Sequence, residues 1–345
     1  MSSLKRFLTL AAIAAAIAPL AAAPLQIKLA TVVPVTSMWE KALLEMGKAW
    51  QTDTAGRVTL TVYAGSTDTE GTILTQMRPV VDKYQATYIS NVGLSDLDEA
   101  FNVLSMPFFL ESDEEERAVK KALTPVFEQR LQAKGLHFLS WGAGGWVRLF
   151  SKKPLRTLAD VKASKLFITK GSVKWVRWYV NNGFHPVELT PASVPEQLKL
   201  ATGAIDTAAY VPYLAVLQRV FSDAPNMLDV RLAPLPGALI MSNSAWNKLT
   251  PEDREKIAAS ARALEDKVHA AIPKMDADSI KAMQVRGLQV IKADPKAAAE
   301  FRAAAGQLVT TMRGDMVPAD VFDMAVKARD AARKARDGAP KAPGK

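Results

Sequence analysis

The residues able to do chemistry are scattered through this chain, and their types point to binding rather than catalysis. His137, His185 and His269 lie far apart and show no ligand spacing. Each reads as a structural or exposed histidine. No GxSxG elbow presents a serine nucleophile. No GxxxxGKS or GxxxxGKT loop occurs, and no GxGxxG opens a helix. The absence of cysteine removes disulfides, thiolate catalysis and thiolate metal sites. The acidic run at 111–116 suits a helix start, where the macrodipole favours negative charge, better than it suits a metal. No enzyme activity, cofactor or metal is expected. What remains can hold a small molecule. Arg148, within WVRLF, is an arginine on an expected strand. A surface ion pair on a strand is its plainer use. Trp39 falls in the first turn after a strand, where α/β sites form, although core packing would also explain it.

The elements that must position these groups alternate between strand and helix. Residues 26–33 form an apolar, β-prone run. Trp39, Leu43, Met46 and Trp50 follow at helical spacing. Val58, Leu60 and Val62 alternate with polar or half-polar neighbours, the period of a strand. Residues 69–82 are expected to be helical, with Ile73, Met77 and Val81 on one face. A third strand is expected at 86–92, ending in Ser90-Asn91-Val92-Gly93. Strands at 136–141 and 146–151 flank Gly142, Gly144 and Gly145, whose backbone freedom suits a hinge. Strands at 165–169 and 205–210 come next. Thr250-Pro251-Glu252-Asp253 is a strong helix start, with a capping hydroxyl, proline at the first position and acids in the first turn. Helical signal continues to about 287. At about 1.5 Å per residue that would reach roughly 50 Å, with a kink or break expected at Pro273. Two further helices are expected at 295–313 and 318–336.

A chain of 345 residues, 49% of them hydrophobic, can build two domains with substantial cores. The formal charge of +9 could suggest a polyanion partner. Its distribution argues against nucleic acid. Lys5 and Arg6 supply two charges in a leader, and 327–345 supplies five through seven basic and two acidic side chains. A solvated basic tail is the simpler reading. Residues 1–23 have the form of a secretory signal: a charged start, an apolar run at 7–17 too short to span a membrane, then small residues. Without cysteine there is no lipid anchor, so the mature chain is expected to be soluble in the periplasm.

Several stretches resemble one family. KPLRTLADVKASKLFI at 153–168 is the most specific. TAGRVTLTVYAG, NVLSMPFFL, PASVPEQLKLATGAIDTAAYVPY and LPGALIMSNSAWNKLTPEDREKI fall around it in the family's order, over about 26–260. Together they resemble the extracytoplasmic solute receptors of TRAP transporters, the DctP-like family. The resemblance implies an α/β, two-lobed, periplasmic-binding-protein-like fold with a hinge cleft and a long C-terminal helix spanning both lobes. Lobe I would hold 24–146 plus about 237–265. Lobe II and the spanning helices would hold 147–236 plus about 266–336, with 337–345 a disordered tail. It further implies capture of a small organic ligand between the lobes and delivery to the small and large TRAP membrane subunits. Arg148 matches a family arginine, Tyr210 a frequent ligand contact, and Ser90 and Asn91 the first-lobe pocket edge. Trp146, Lys170 and Tyr213 lie near the same cleft by topology. Phe167 stands where the family usually has its principal carboxylate-binding arginine. The ligand is therefore expected to depend less on carboxylates, with an apolar or aromatic body and at most one acid group. The KLFI and GWVRLFSK patterns are similar to the subgroup associated with a tetratricopeptide-repeat partner. The alternatives are an ABC-type solute-binding protein, or an envelope adaptor that kept the fold.

Overall fold

A first sheet forms around β1 (Leu25–Ala30), and its neighbours come from both halves of the chain. The computed structural model describes residues 23–338 except 171, 191, 192 and 294, so all but the last residue of the leader expected at 1–23, and the expected tail from 339 on, lie outside the described residues. After β1 comes α1 (Met38–Asp53), opened by Ser37, whose hydroxyl accepts the Glu40 N–H. Strand β2 (Val58–Tyr63) pairs parallel with β1. Helix α2 (Glu70–Gln76) is shorter than expected and leaves Val81 51% exposed. Pro79 lacks the N–H that another helical turn would need. Strand β3 (Ala86–Ser90) also pairs with β1 and stops two residues before the expected end. The Ser90 side chain caps α3 (Asn91–Leu97), so Asn91 begins a helix rather than ending a strand. A 3-10 turn (Glu99–Ser105), α4 (Asp113–Ala133) and β4 (Leu136–Trp146) follow.

The glycine segment is not a loop between two strands, because β4 runs straight through it. Close approach explains the glycines. A Cβ on Gly142 would stand 2.5 Å from the Tyr88 hydroxyl, and one on Gly144 would stand 2.7 Å from Leu235. After Val147 the chain enters a second sheet through β5 (Arg148–Ser151), α5 (Leu158–Ala163) and β6 (Lys165–Thr169). It continues through α6 (Val173–Asn181), β7 (His185–Leu189), α7 (Val194–Lys199) and β8 (Thr207–Tyr210). Helices α8 (Pro212–Leu217) and α9 (Val220–Asp223) lead to β9 (Asn226–Leu228). The chain returns through β10 (Pro234–Ser242) and α10 (Asn243–Trp246). Helix α11 (Pro251–Gln284) then runs 34 residues without a break at Pro273. Ile272 and Asp276 are buried on either side of the proline, so tertiary packing holds the helix across the lost hydrogen bond. Strand β11 (Gln289–Ile291) joins the second sheet, and α12 (Pro295–Thr310) and α13 (Ala319–Gly338) close the chain. Helix α13 extends through Asp337 and Gly338, residues expected to begin a loose tail.

The sheet orders are β2-β1-β3-β10-β4 and β11-β9-β5-β8-β6-β7. This is the two-lobed α/β arrangement expected from sequence, with four connections between lobes: β4 to β5, β9 to β10, α11, and the return from α12 to α13, which packs on α4. One apolar core runs continuously from Phe101, Phe127 and Trp141 on the first sheet to Leu166 and Trp178 on the second. A separate core packs α1 and α11 on the first sheet, with Trp50 at 1% exposure. A third lies on the opposite face of the second sheet, around Phe150, Ala208 and Phe221. Each large side chain fully buried in this way contributes about 1.5–3 kcal/mol.

The acidic run and the basic tail meet. Glu115 is 1% exposed, contrary to the expectation of a solvated acidic face. Arg333 and Arg336 of α13 reach its carboxylate at 2.9–3.1 Å, so these tail cations are not simply solvated. Glu116 is also buried and pairs with Lys120 one turn on, at 2.5 Å.

Candidate functional site

Strand directions define where a ligand can sit. β1, β2 and β3 are parallel, and β10 runs antiparallel to both β3 and β4. The C-terminal ends of β1, β2, β3 and β4 therefore point towards the second lobe. β8 runs antiparallel to β5, and β6 and β7 run parallel to β8. Their C-terminal ends point back towards the first lobe. Helices α1, α3, α6 and α8 start within a few residues of these ends. The facing rows enclose a cleft at strand carboxyl ends, where open α/β sheets bind ligands.

Arg148 begins β5 at the point where the chain enters lobe II. It pairs in register with Tyr210 at the end of β8, so the two side chains are cross-strand neighbours. Arg148 is 8% exposed, and its Nε has no hydrogen-bond partner. One terminal nitrogen makes a long 3.5 Å contact to the Val147 carbonyl. Among the described residues it forms no ion pair. Burial lowers its pKa, as does the nearby Arg231 guanidinium, while Asp229 and Asp276 act the other way. An arginine stays charged, so this is a desolvated cation short of partners. Asp276, on α11, accepts the Trp146 N–H at 3.4 Å and has an orphaned Oδ1. Burial pushes its pKa up to about 6.

The other expected site residues divide between exposed and internally bonded. The Tyr210 hydroxyl donates to Gln218 Oε1 at 3.0 Å, and burial pushes its pKa up to about 12. Phe167 is half-buried and packs against the same core as Tyr210. Trp39 and Tyr213 meet edge-on at 5.3 Å, linking the first turns of α1 and α8 across the lobes. The Trp39 indole donates to the Ala143 carbonyl at 2.8 Å. Trp146 is held away from this group, donating to Asp113 at 2.6 Å beneath the Arg231 guanidinium. Asn91 donates to Ser95 and Ser105 within lobe I, leaving its Oδ1 without a partner. Lys170 is exposed just beyond β6. Sequence reasoning missed Glu70. Its buried carboxylate accepts from the Ser90 N–H, the Ser90 hydroxyl and the Gly93 N–H at 2.7–2.8 Å, fixing the end of β3. Burial raises its pKa against those bonds. Asp276 and Arg231 were also missed, because both lie far along the chain from Arg148.

A cavity of about 730 Å³ lies elsewhere, between α4, β4 and α11, and includes Trp146 alone of the expected residues. Its most buried charges are already engaged: Lys120 holds Glu116 and the Gly142 carbonyl, and Glu265 accepts the Trp141 N–H. The interlobe cleft is the better site, because there a buried cation is left unpaired.

Comparison with known proteins agrees with this architecture. The sequence model of one family, bacterial extracellular solute-binding protein, family 7 (DctP), matches residues 29–315. A solute-binding protein of Chromohalobacter salexigens is 25% identical over 230 residues, covering 64% of this chain and 65% of that protein. An uncharacterized protein of Haemophilus influenzae is 22% identical over 183 residues, covering 52% and 54%. The chain thus spans from about half to just under two thirds of the length of these relatives. Among solved structures, a TRAP periplasmic solute binding protein from Ochrobactrum anthropi, with its C-terminus bound in the ligand binding pocket, gives a TM-score of 0.81 at 18% identity. That match covers 90% of this chain and 96% of the other. One from Xanthobacter autotrophicus Py2 with bound β-D-galacturonate gives 0.77 at 21% identity, covering 88% and 99%. An extracytoplasmic solute receptor of Bordetella pertussis binding pyroglutamic acid gives 0.75 at 19%, also covering 88% and 99%. At these identities the structures share the fold.

Proposed function

We propose a function from one premise: the chain belongs to the DctP family, the bacterial extracellular solute-binding proteins of family 7. Proteins of this family are periplasmic and bind solutes; they are not enzymes. Within that family we read this chain as a TRAP solute receptor. It captures a small organic acid in the interlobe cleft and hands it to the small and large membrane subunits. A tetratricopeptide-repeat partner remains part of the proposal on the KLFI and GWVRLFSK patterns alone.

The observation that carries this reading is Arg148, 8% exposed with an unpartnered Nε. Burying a cation short of hydrogen-bond partners is costly, and a ligand carboxylate offsets that cost through charge-assisted hydrogen bonds. Phe167, packed on the core that includes Tyr210, supplies apolar area and no second fork. The ligand therefore has one acid group on an apolar or aromatic body. Galacturonate and pyroglutamic acid, bound by two structural relatives, each carry one carboxylate.

A thermal-shift panel of dicarboxylates, keto acids, aromatic acids and neutral metabolites tests the reading. Monoacids should stabilise the protein, and succinate or malate should not. Strong stabilisation by succinate, abolished in Lys170→Ala, would show that the lysine replaces the family arginine and would overturn the apolar-ligand reading. Small-angle scattering should show a smaller radius with ligand bound, because the cleft closes between the lobes.

A further inference from the structure

We propose that Asp276 is a second ligand-contacting residue of the cleft. With Arg148 it selects an acid carrying a hydrogen-bond donor beside its carboxylate, as in a 2-hydroxy or 2-amino acid. The proposal rests on the receptor reading above and names the ligand class of the same site.

Arg148 and Asp276 come from two of the connections between lobes, the start of β5 and the long helix α11. They are 8% and 9% exposed. Each keeps one polar atom without a partner, and the two are complementary: Arg148 Nε is a donor and Asp276 Oδ1 an acceptor. Their charges attract, but among the described residues they form no ion pair or hydrogen bond with each other, so neither fills the other's open position. Asp276 Oδ2 accepts the Trp146 N–H, two residues before Arg148, at 3.4 Å, which sets the carboxylate within electrostatic reach of the guanidinium. Gly145 makes room for it. Its φ is +98°, and a Cβ there would lie 2.9 Å from Asp276 Oδ1.

A carboxylate seated on Arg148 approaches a second carboxylate at Asp276. A simple acid meets repulsion there. An acid with a neighbouring hydroxyl or ammonium donates to Oδ1 and removes it. Arg148, Arg231 and the Trp146 N–H favour ionised Asp276, while burial and Asp113 oppose it. Asp229 faces Arg148 from the β9 side. Burial pushes the pKa of Asp276 up to about 6, so its proton is off at neutral pH and on near pH 5. Protonated Asp276 becomes a donor and accepts simple acids, so the preference should shrink in mild acid.

The test is calorimetric titration of the mature protein with matched acids: mandelate against phenylacetate, and lactate against propionate. At neutral pH each hydroxy acid should bind at least about tenfold more tightly than its partner. Asp276→Ala should bring that ratio close to one while the deoxy acids bind as before or better. Arg148→Ala should weaken both members of a pair. Asp276→Asn, of the same shape, repeats the test should the alanine variant fail to fold, with a ratio at least about threefold below wild type. A wild-type ratio near one, or a ratio that survives Asp276 substitution, overturns the role of Asp276 and leaves the receptor reading intact. Binding of none of the four acids at about 10 mM overturns both.

Discussion

Glu115, in the seam between α4 and α13, is 1% exposed and surrounded by donors. Arg333 binds it through two nitrogens at 3.0 and 3.1 Å, Arg336 through one at 2.9 Å, and the Glu111 N–H at 2.9 Å. Arg148, at the lobe junction, is 8% exposed and receives only a 3.5 Å contact to its neighbour's carbonyl. A buried charge that the fold uses for itself is saturated, because an unsatisfied one destabilises the native state. A buried charge kept short of partners is explained by something that arrives later. The seam fixes the chain's end to lobe I; at the junction, the proposed ligand would supply the partners that Arg148 lacks.

Substitution in the seam should have the largest effect on stability. Arg333→Ala leaves Glu115 with half its partners and should cost about 3 kcal/mol in urea unfolding, with ligand affinity unchanged. A matching loss of affinity would show that the seam and the junction are one system, and the contrast would collapse. Asp276→Asn should have a smaller effect that depends on pH. The folded-state pKa of about 6 lies above the ordinary 3.8. The native state therefore holds the proton longer, and the resulting stability is present below pH 4 and lost as pH rises through 6. The asparagine variant should match wild type near pH 4 and exceed it by about 2 kcal/mol near pH 8, after discounting for partial exposure. Equal pH profiles would mean that Asp276 is not strained by burial. The smallest effect belongs to a control in lobe II away from the junction. Thr157 and Asp160 form a reciprocal capping box at the start of α5. Thr157→Ala should cost about 1 kcal/mol of stability and nothing in binding. A loss of affinity there would mean that any destabilisation of lobe II weakens the site.

Much of the framework was legible in local pattern. The alternation at 58–63 gave β2, and the Thr250-Pro251 start gave α11, since these signals depend only on near neighbours. Pro273 misled because its local cost is overridden by packing on both sides, which sequence spacing does not reveal. The length of α2 misled for the opposite reason: the periodicity of Ile73, Met77 and Val81 continued past a proline that ended the helix. Of the candidate site, the strand ends were legible in local pattern, and the family resemblance singled out Arg148. The missing partner of Arg148 was not legible, because the groups around it, Arg231 and Asp276, are contributed by segments far along the chain. The Glu115–Arg333 contact, 218 residues apart, was hidden for the same reason. Glu70 escaped notice because a single acid at a helix start is ordinary, and only the fold brings Ser90 and Gly93 to it.

The central claim is that Arg148 holds the acid group of the ligand. Its most direct test is parallel calorimetry and thermal melting of wild type and Arg148→Ala, using the acid that most stabilises the wild type. The account predicts that affinity falls by about 1.5–3 kcal/mol, roughly tenfold to more than a hundredfold, while the ligand-free melting temperature holds or rises. Unchanged affinity with a lowered melting temperature would contradict it and make Arg148 a structural group.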